Sequence, residues 1–310
     1  MFANSLHGAI AAVVIGVALA HSDSVLAITG GVSVNDVLAA RAGSRYTQQQ
    51  VAVARAVAAV TVALINRDLD GQGASLCSAS IVHPRVVLTA AHCVLNGKEV
   101  SQGMSVRFEG GASQRQALDA IVHPAFLKTI RSRAYKPQTQ SLQEFMRTIE
   151  PAAMAADLAL VLLHRRIPDA HDLVEPIARG FRDRRATKLI AGYGTIDGYR
   201  SMEKLALHFA ELHSNAQLDE ELGSGAGEIV MESRYRDGAR VNTCKGDSGG
   251  PVFVVDPVAR RLRQLAVTSA GDRHCREAAV FAPIDSQRAV LRAMFDALMD
   301  GELGAEQNPF

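Results

Sequence analysis

The chain has 310 residues, of which 48% are hydrophobic and 21% are charged, and this is the composition of an ordinary globular protein. Its 33 basic and 32 acidic residues leave a formal net charge of +1, which gives no electrostatic case for binding nucleic acid or an anionic membrane surface. The length suffices for one large domain or for two packed units.

An apolar run, AIAAVVIGVALA, occupies residues 9–20. It is shorter than a comfortable membrane span and has the length of a signal-peptide core. Small-residue cleavage signals end at Ala20 and at Ala27, and we expect residues 1–27 to be removed, with cleavage after Ala20 as the alternative. Because no Lys or Arg precedes the run, an uncleaved amphipathic or anchoring segment is the other interpretation.

Residues 35–59 are rich in Ala, Gln and Arg and predict helix. From residue 60 onward the pattern favours short strands between turns, with a turn predicted at 66–73. Strands are predicted at 60–64, 80–82, 85–89, 105–108, 157–163, 188–191, 251–255 and 264–268. Many short strands at close spacing indicate a β-barrel or a β-sandwich.

Two later segments depart from the strand pattern. Residues 131–156 are polar and then rich in Ala and Met, and we expect a helix within them. Residues 285–299 have apolar side chains at helical spacing, with Asp285 or Ser286 as the predicted N-cap. The last residues, 300–310, are predicted to form a frayed tail.

Four cysteines occur, at positions 77, 93, 244 and 275. Their even number suits two disulfides, and it also suits four free thiols. The sequence has no CxxC pair and no Cys/His cluster with zinc spacing, so we favour disulfides over a metal site if the chain is exported.

The string GDSGGP at residues 246–251 carries the most chemical information. A serine hydroxyl is a poor nucleophile unless a base takes its proton and donors stabilise the oxyanion that follows. Glycines around Ser248 let the backbone turn tightly and direct N–H groups at that charge. The structural alternative for an isolated DSGG is a glycine-rich turn with an exposed serine.

Two further strings supply a base and its partner. His92 lies in TAAHC, after a predicted strand and beside a cysteine, and an imidazole titrates near neutral pH. Asp157 begins DLALVLL, where it would be partly buried at the start of an apolar strand and would need a partner. An imidazole N–H is a suitable partner, although an aspartate that starts a strand is common for structural reasons.

The three strings together resemble the signatures of the trypsin/chymotrypsin family of serine proteases. Further similarity lies in the strings LCSASI at 76–81, VHP at 122–124, AGYGT at 191–195 and TSAG at 268–271. In AGYGT a tyrosine replaces the tryptophan of the family motif, and in TSAG an alanine does so. The resemblance covers about residues 60–299.

This resemblance implies an all-β fold of two antiparallel six-stranded β-barrels followed by a C-terminal helix, within a peptidase domain at residues 28–299. It implies a catalytic triad of His92, Asp157 and Ser248. The backbone N–H groups of Gly246 and Ser248 would form the oxyanion hole. The implied disulfides are Cys77–Cys93 and Cys244–Cys275.

The family also implies a role for Asp247, which pairs with a newly freed N-terminal ammonium. The string ITGG at 28–31 follows the second cleavage signal, so cleavage after Ala27 would free Ile28 as the partner of Asp247. The helical segment near 35–59 is then an insertion, either an ordered cap or a sign that Ile28 is not the true start. The stretch 128–156 is longer than in typical members, and it either restricts access to the site or forms a plain surface loop.

The resemblance places a specificity pocket around four residues. Asn242 would lie at its base, with Gly271 and Ala279 at its sides and Ser269 on the strand that binds substrate backbone. A neutral Asn242 lacks the charge that would attract Arg or Lys, so we expect a small, neutral or modestly apolar residue before the cleaved bond.

We therefore predict a secreted or periplasmic serine endopeptidase that acts on peptides or proteins, as a monomer and without a metal or other cofactor. One alternative is a binding or regulatory protein that keeps the protease fold without catalysis. Another is an acyl hydrolase acting on esters, but the G-D-S-G-G context differs from the G-x-S-x-G turn of those enzymes.

Overall fold

The computed structural model describes residues 28–40, 45–67, 74–108, 113–132, 151–167, 172–176, 188–194, 205–212, 229–232, 241–255, 261–271, 275, 278–300 and 308–310. The predicted leader at 1–27, most of the turn predicted at 66–73 and the middle of the stretch 128–156 lie outside these residues.

β-Strand is the commonest regular structure among the described residues. In chain order the strands are β1 (Val32–Ser33), β2 (Thr61–Arg67), β3 (Ala74–His83), β4 (Val86–Thr89), β5 (Leu95–Asn96), β6 (Glu99–Val100), β7 (Met104–Arg107), β8 (Gln114–Val122), β9 (Ala159–Leu163), β10 (Glu175–Pro176), β11 (Lys188–Gly192), β12 (His208–Leu212), β13 (Ile229–Glu232), β14 (Pro251–Val255), β15 (Leu262–Gly271) and β16 (Ala278–Pro283). Each predicted strand segment overlaps one of them.

Six strands close into a barrel in the order β2-β3-β4-β9-β8-β7, with antiparallel pairing throughout. Every side chain of β4 and β9 is buried. Continuous apolar runs of this kind belong to strands that are covered on both faces. These two strands carry the residues that precede His92 and follow Asp157.

The second β unit is a sheet in the order β1-β12-β11-β14-β15-β16-β13, in which β10 also pairs with β15. All of its pairs are antiparallel except that of β10 with β15, which is parallel. The fold class is thus confirmed: a mostly β chain with a closed six-stranded barrel, a second β unit and a C-terminal helix.

The segment predicted as helical at 35–59 forms two helices, α1 (Val34–Ala39) and α2 (Gln48–Val60). The second begins with a capping box, in which Thr47 Oγ1 accepts the Gln50 N–H at 3.2 Å and Gln50 Oε1 accepts the Thr47 N–H at 2.8 Å. Buried side chains on both helices, including Val37 and Val57, belong to the main core. The described part of this segment is therefore ordered and packed.

Two helices border the long stretch between β8 and β9. Helix α3 (Pro124–Arg131) follows β8 directly, and His123 caps it by accepting the Ala125 N–H on its Nδ1 at 3.2 Å. A short helix, Pro151–Met154, precedes Asp157. The helix expected within 131–156 is therefore present at 151–154, and residues 133–150 lie outside the described residues.

The C-terminal helix spans Arg288–Met299 and is preceded by a 3-10 turn, Asp285–Gln287. The predicted N-cap at Asp285 or Ser286 is wrong, because neither helix start has a side-chain cap. The frayed tail is also wrong for residues 308–310: Asn308 Nδ2 donates to the Arg292 carbonyl at 3.1 Å, and Phe310 is buried. Within the described part of the chain, no helix has the length and apolar content needed to cross a membrane.

Candidate active site

His92 and Asp157 meet where β4 and β9 lie side by side, with Thr89 paired to Ala159. His92 follows β4 in the one-turn 3-10 helix Ala91–Cys93, and Asp157 precedes β9. Asp157 Oδ2 lies 2.8 Å from His92 Nδ1, and Asp157 Oδ1 accepts the His92 backbone N–H at 2.9 Å. The pairing of neighbouring strands thus joins two residues that are 65 positions apart.

The Asp157 carboxylate is fully buried and takes a third hydrogen bond, from the Ser269 hydroxyl in β15 at 2.6 Å. A buried carboxylate is stable only with donors of this kind. Because an ionised carboxylate only accepts, His92 Nδ1 carries the ring proton and Nε2 remains as the acceptor. Three donors therefore fix the orientation of Asp157 and the tautomer of His92.

Asp157 also controls the basicity of His92. Burial alone lowers the pKa of the imidazole, but the negative charge of Asp157 and its hydrogen bond to the ring outweigh burial and raise the pKa above the ordinary value. The His92 side chain remains 14% exposed. The ring can therefore take a proton from a neighbouring group and hold it during a reaction.

A disulfide between Cys77 in β3 and Cys93 fixes the backbone beside His92, with 6.1 Å between the two Cα atoms. Cys93 Sγ lies 3.7 Å from His92 Nε2. These two sulfurs and His92 are near enough to one another to suggest a metal site. Both sulfurs are in the disulfide, however, and a metal requires thiolates.

Ser248 belongs to the second unit, in the loop before β14. Its carbonyl accepts the N–H of Ser78 in β3 at 2.7 Å, and Gly249 donates to the Thr268 carbonyl at 2.7 Å. Gly249 has φ of +80°, and a Cβ there would collide with Thr89 Oγ1 at the end of β4. The loop therefore lies against the strand that leads to His92.

Within the described residues, the Ser248 hydroxyl makes no hydrogen bond to His92. Such contacts are often long before substrate binds. The structure thus joins His92 to Asp157 directly and brings Ser248 to the same region through Thr89, Ser78 and the strand that carries Ser269.

The loop around Ser248 carries two N–H groups, those of Gly246 and Ser248, that have no acceptor in the described structure. The intervening Asp247 N–H donates to the Cys244 carbonyl at 3.1 Å. Gly246 has φ of +95°, a conformation that favours glycine. N–H donors without an acceptor are groups that can stabilise an oxyanion.

The Asp247 carboxylate is 1% exposed and accepts two backbone N–H groups, from Cys244 at 2.7 Å and from Gly194 at 2.8 Å. The glycines of AGYG make room for it. A Cβ at Gly194 would lie 2.7 Å from the Asp247 Cγ, and one at Gly192 would collide with Oδ1. Among the described residues, no cation forms an ion pair with this carboxylate.

Ile28 is fully buried in the second unit, in a cluster with Ile190 and Phe281. The next residue, Thr29, forms a two-bond bridge with Asn242, with N···O distances of 3.0 and 3.2 Å. Asn242 lies five positions before Asp247 in the same segment. The chain at Ile28 is therefore fastened to the segment that carries the uncompensated carboxylate.

Burial raises the pKa of Asp247 from 3.8 to about 8, although its two backbone hydrogen bonds act in the opposite direction. The folded state then binds this proton more tightly than the unfolded state does. We expect the free energy of unfolding of a chain that begins at residue 21 to decrease as pH rises from about 4 to about 8.

The measurement is urea unfolding of that chain across this pH range. Asp247→Asn provides the control, because it removes the titrating group and should flatten that part of the profile. Parallel pH profiles for the chain with Asp247 and the chain with Asp247→Asn would contradict the assignment of the titration to Asp247.

The structure places the four residues predicted for a specificity pocket at three locations. Gly271 and Ala279 are paired across β15 and β16, and Ala279 is buried. Asn242 is buried beside Thr29, and its Oδ1 accepts the Thr243 N–H at 2.8 Å. The Ser269 hydroxyl contacts Asp157, so this side chain positions the carboxylate.

A second disulfide joins Cys244, two residues before Gly246, to Cys275 with 5.1 Å between their Cα atoms. Cys275 has φ of +57°. The disulfide attaches the loop that bears Ser248 to the chain between β15 and β16. The two disulfides therefore match the pairing that the family resemblance implied.

Sequence reasoning missed Ser78, whose hydroxyl and N–H both contact the Ser248 loop. It treated LCSASI only as a cysteine-containing strand. The string offers one signal for this role: Ser78 is a small polar residue beside Cys77, and the surrounding apolar strand would bury its hydroxyl, which would then need a partner. The contact of the Ser269 hydroxyl with Asp157 was missed for a similar reason, because nothing local reveals its partner.

The family model described as Trypsin matches residues 48–291 of this chain. The match covers most of both β units and the start of the C-terminal helix.

Individual relatives are similar at lower identity. A CLIP domain-containing serine protease B9 from Anopheles gambiae is 28% identical over 59% of this chain, which spans 46% of that protein. Kallikrein 1-related peptidase b1 from Mus musculus is 27% identical over 64% of this chain and 72% of its own length. A protein named trypsin from Saccharopolyspora erythraea is 22% identical over 76% of this chain and 92% of its own length.

Proposed function

Because this chain belongs to the trypsin family, whose members are serine-type endopeptidases, we propose that it hydrolyses peptide bonds with Ser248 as nucleophile, His92 as base and Asp157 as the group that orients the base. The observation that carries this proposal is the 2.8 Å contact between Asp157 Oδ2 and His92 Nδ1. The buried Asp157 carboxylate accepts three hydrogen bonds and binds His92 through Nδ1, so that the unprotonated Nε2 points away from Asp157.

In the first half-reaction, Ser248 Oγ attacks the carbonyl carbon of the peptide bond while His92 Nε2 takes the hydroxyl proton. The carbonyl oxygen becomes an oxyanion that accepts the N–H groups of Gly246 and Ser248. His92 then gives its proton to the departing amine, which leaves an ester between Ser248 and the acyl part of the substrate.

In the second half-reaction, a water molecule replaces the amine. His92 takes one proton from the water while the water oxygen attacks the ester. His92 then returns that proton to Ser248 Oγ as the acid product leaves. Asp157 stabilises the imidazolium in both half-reactions without itself being protonated. The proposed chemistry uses no metal or other cofactor.

Cleavage after Ala27 would give Ile28 a free ammonium group. We propose that this ammonium pairs with the Asp247 carboxylate and so holds the neighbouring N–H donors in place. The proposal is supported by the burial of Ile28, by its attachment beside Asn242 and by the lack of a cation at Asp247 among the described residues. Two disulfides and the apolar leader support export of the chain.

The substrates are peptides or proteins, and we propose that Arg and Lys are not preferred before the cleaved bond. Asn242 is uncharged and buried, and Ala279 carries a methyl group where a glycine would leave more room. A peptide-library profile of the mature enzyme tests this proposal. A profile dominated by Arg or Lys would overturn it.

Asn242→Asp is expected to shift the ratio of kcat/KM for Arg over Ala substrates by about 10- to 100-fold toward Arg, because it adds a charge of opposite sign without changing side-chain size. An aspartate can still accept the Thr243 N–H that Asn242 accepts. The measurement compares matched Arg and Ala peptides, with Asn242→Ser as a neutral control. An unchanged ratio would show that position 242 does not contact the substrate side chain.

The proposed activity is tested by hydrolysis of a denatured protein substrate with purified mature enzyme beginning at Ile28. We expect proteolysis that stops on treatment with a fluorophosphonate and that is absent from Ser248→Ala. Intact substrate with the wild-type enzyme would favour the alternative of a non-catalytic protein with a protease fold.

A further inference from the structure

Ser78 is a fully buried polar residue of the barrel that makes three hydrogen bonds to the second unit. Its hydroxyl donates to the Gly246 carbonyl at 2.9 Å and accepts the Tyr193 N–H at 2.9 Å. Its backbone N–H donates to the Ser248 carbonyl at 2.7 Å. One residue of β3 thus contacts both residues whose N–H groups are proposed to bind the oxyanion.

The contact with Gly246 constrains a residue that has little restraint of its own. Glycine at φ of +95° has no Cβ to limit its rotation, so external contacts must fix the direction of the peptide groups beside it. The peptide between Gly246 and Asp247 is held by Ser78 at its carbonyl and by the Cys244 carbonyl at its N–H. Loss of the Ser78 contact frees the carbonyl end of this peptide.

Ser78 is itself held firmly. Thr89 Oγ1 donates to the Ser78 carbonyl at 2.8 Å, and Thr89 ends the strand that leads to His92. Tyr193, on the other side of the hydroxyl, lies next to Gly194, whose N–H binds Asp247. Ser78 therefore connects three parts of the site: its carbonyl contacts the His92 strand, and its hydroxyl contacts the Gly246 loop and the chain beside the Asp247 pocket.

We propose that the Ser78 hydroxyl is a positioning group that aligns the Gly246 and Ser248 N–H donors with the oxyanion; this inference rests on the proposed peptidase function. Displaced donors weaken binding of the tetrahedral intermediate and leave ground-state binding of the substrate nearly unchanged. Ser78→Ala is therefore expected to lower kcat by about 10- to 100-fold, with KM within about threefold of wild type.

Ser80 provides a matched control on the same strand. It is also fully buried, and its hydroxyl also joins the two units, by donating to Gln264 Oε1 at 2.7 Å. It does not contact the Ser248 loop in the described structure. Ser80→Ala should lower the unfolding temperature much as Ser78→Ala does, while keeping the wild-type kcat.

The experiment measures kcat, KM and unfolding temperature for the mature wild type, Ser78→Ala and Ser80→Ala, and the affinity of each for a peptide boronic acid that forms a tetrahedral adduct. We expect weaker boronate binding and lower kcat in Ser78→Ala only. Ser78→Thr, which keeps the hydroxyl, should retain most of the wild-type kcat.

Equal kcat values in Ser78→Ala and Ser80→Ala, beside an active wild type, would overturn this inference and leave the peptidase proposal intact. An inactive wild type would instead reject the peptidase proposal. If Ser78→Ala does not fold, Ser78→Gly gives the same comparison, because it lacks the hydroxyl and keeps the backbone N–H. Failure of both variants to fold would assign the hydroxyl to stability and would also overturn the positioning role.

Discussion

Asp157→Asn is expected to lower kcat by about 10⁴-fold while the protein remains folded. In the wild type, Asp157 Oδ1 accepts the His92 backbone N–H and Oδ2 accepts from His92 Nδ1 and the Ser269 hydroxyl. An asparagine has one oxygen and one NH₂ group for these two positions. If the NH₂ group faces His92 Nδ1, Nδ1 must accept its hydrogen bond and the ring proton moves to Nε2. His92 can then no longer act as a base.

The other orientation places the NH₂ group of the substituted side chain against the His92 backbone N–H, so that two donors face each other in a fully buried position. This contact disfavours the second orientation, so the variant adopts the first, in which His92 cannot act as a base. The measurement is kcat at a pH well above the pKa of His92, with Asp172→Asn, an exposed site in the described chain, as the control. A loss smaller than about tenfold in the Asp157 variant would contradict the assigned role.

Adding a single residue before Ile28 is expected to lower kcat/KM by on the order of 10³-fold relative to the enzyme that begins at Ile28. The extension removes the ammonium from the position beside Asp247, which leaves this buried carboxylate without a countercharge. Asp247→Asn in the mature enzyme should cause a loss of similar size, because it removes the other partner of the same ion pair.

Combining the extension with Asp247→Asn should cost little more than either change alone, since both abolish one interaction. The measurement is kcat/KM for the mature enzyme, the extended enzyme, the Asp247 variant and the double variant. Full activity in the extended enzyme would show that Ile28 is not the functional N-terminus. Additive losses in the double variant would show that Ile28 and Asp247 act independently.

The parts of the fold that the sequence predicted well are those with local causes. The apolar runs of β4 and β9 are strands because their side chains are buried on both faces. The chain turns tightly at residues 246–249 because Gly246 and Gly249 permit positive φ angles. The helical spacing of apolar residues in the C-terminal helix was also a local signal. Its N-cap was not, because the chain enters that helix through a 3-10 turn without a side-chain cap.

The parts that the sequence did not predict depend mostly on contacts between distant segments. The break between α1 and α2 is the exception, because it has a local signal in the sequence, the Thr47–Gln50 capping box. The contacts of Ser78 with Gly246 and of Ser269 with Asp157 join residues 168 and 112 positions apart. No periodicity or motif in either segment identifies the partner of these hydroxyl groups.

The central claim is that Ser248 is a nucleophile activated by His92. The most direct measurement is to treat the mature protein with a fluorophosphonate, digest it and locate the added mass by peptide mass spectrometry. We expect one equivalent on Ser248, with labelling lost in His92→Ala and unchanged in Asp172→Asn. A folded mature protein that takes no label, or takes it at another residue, would contradict the claim.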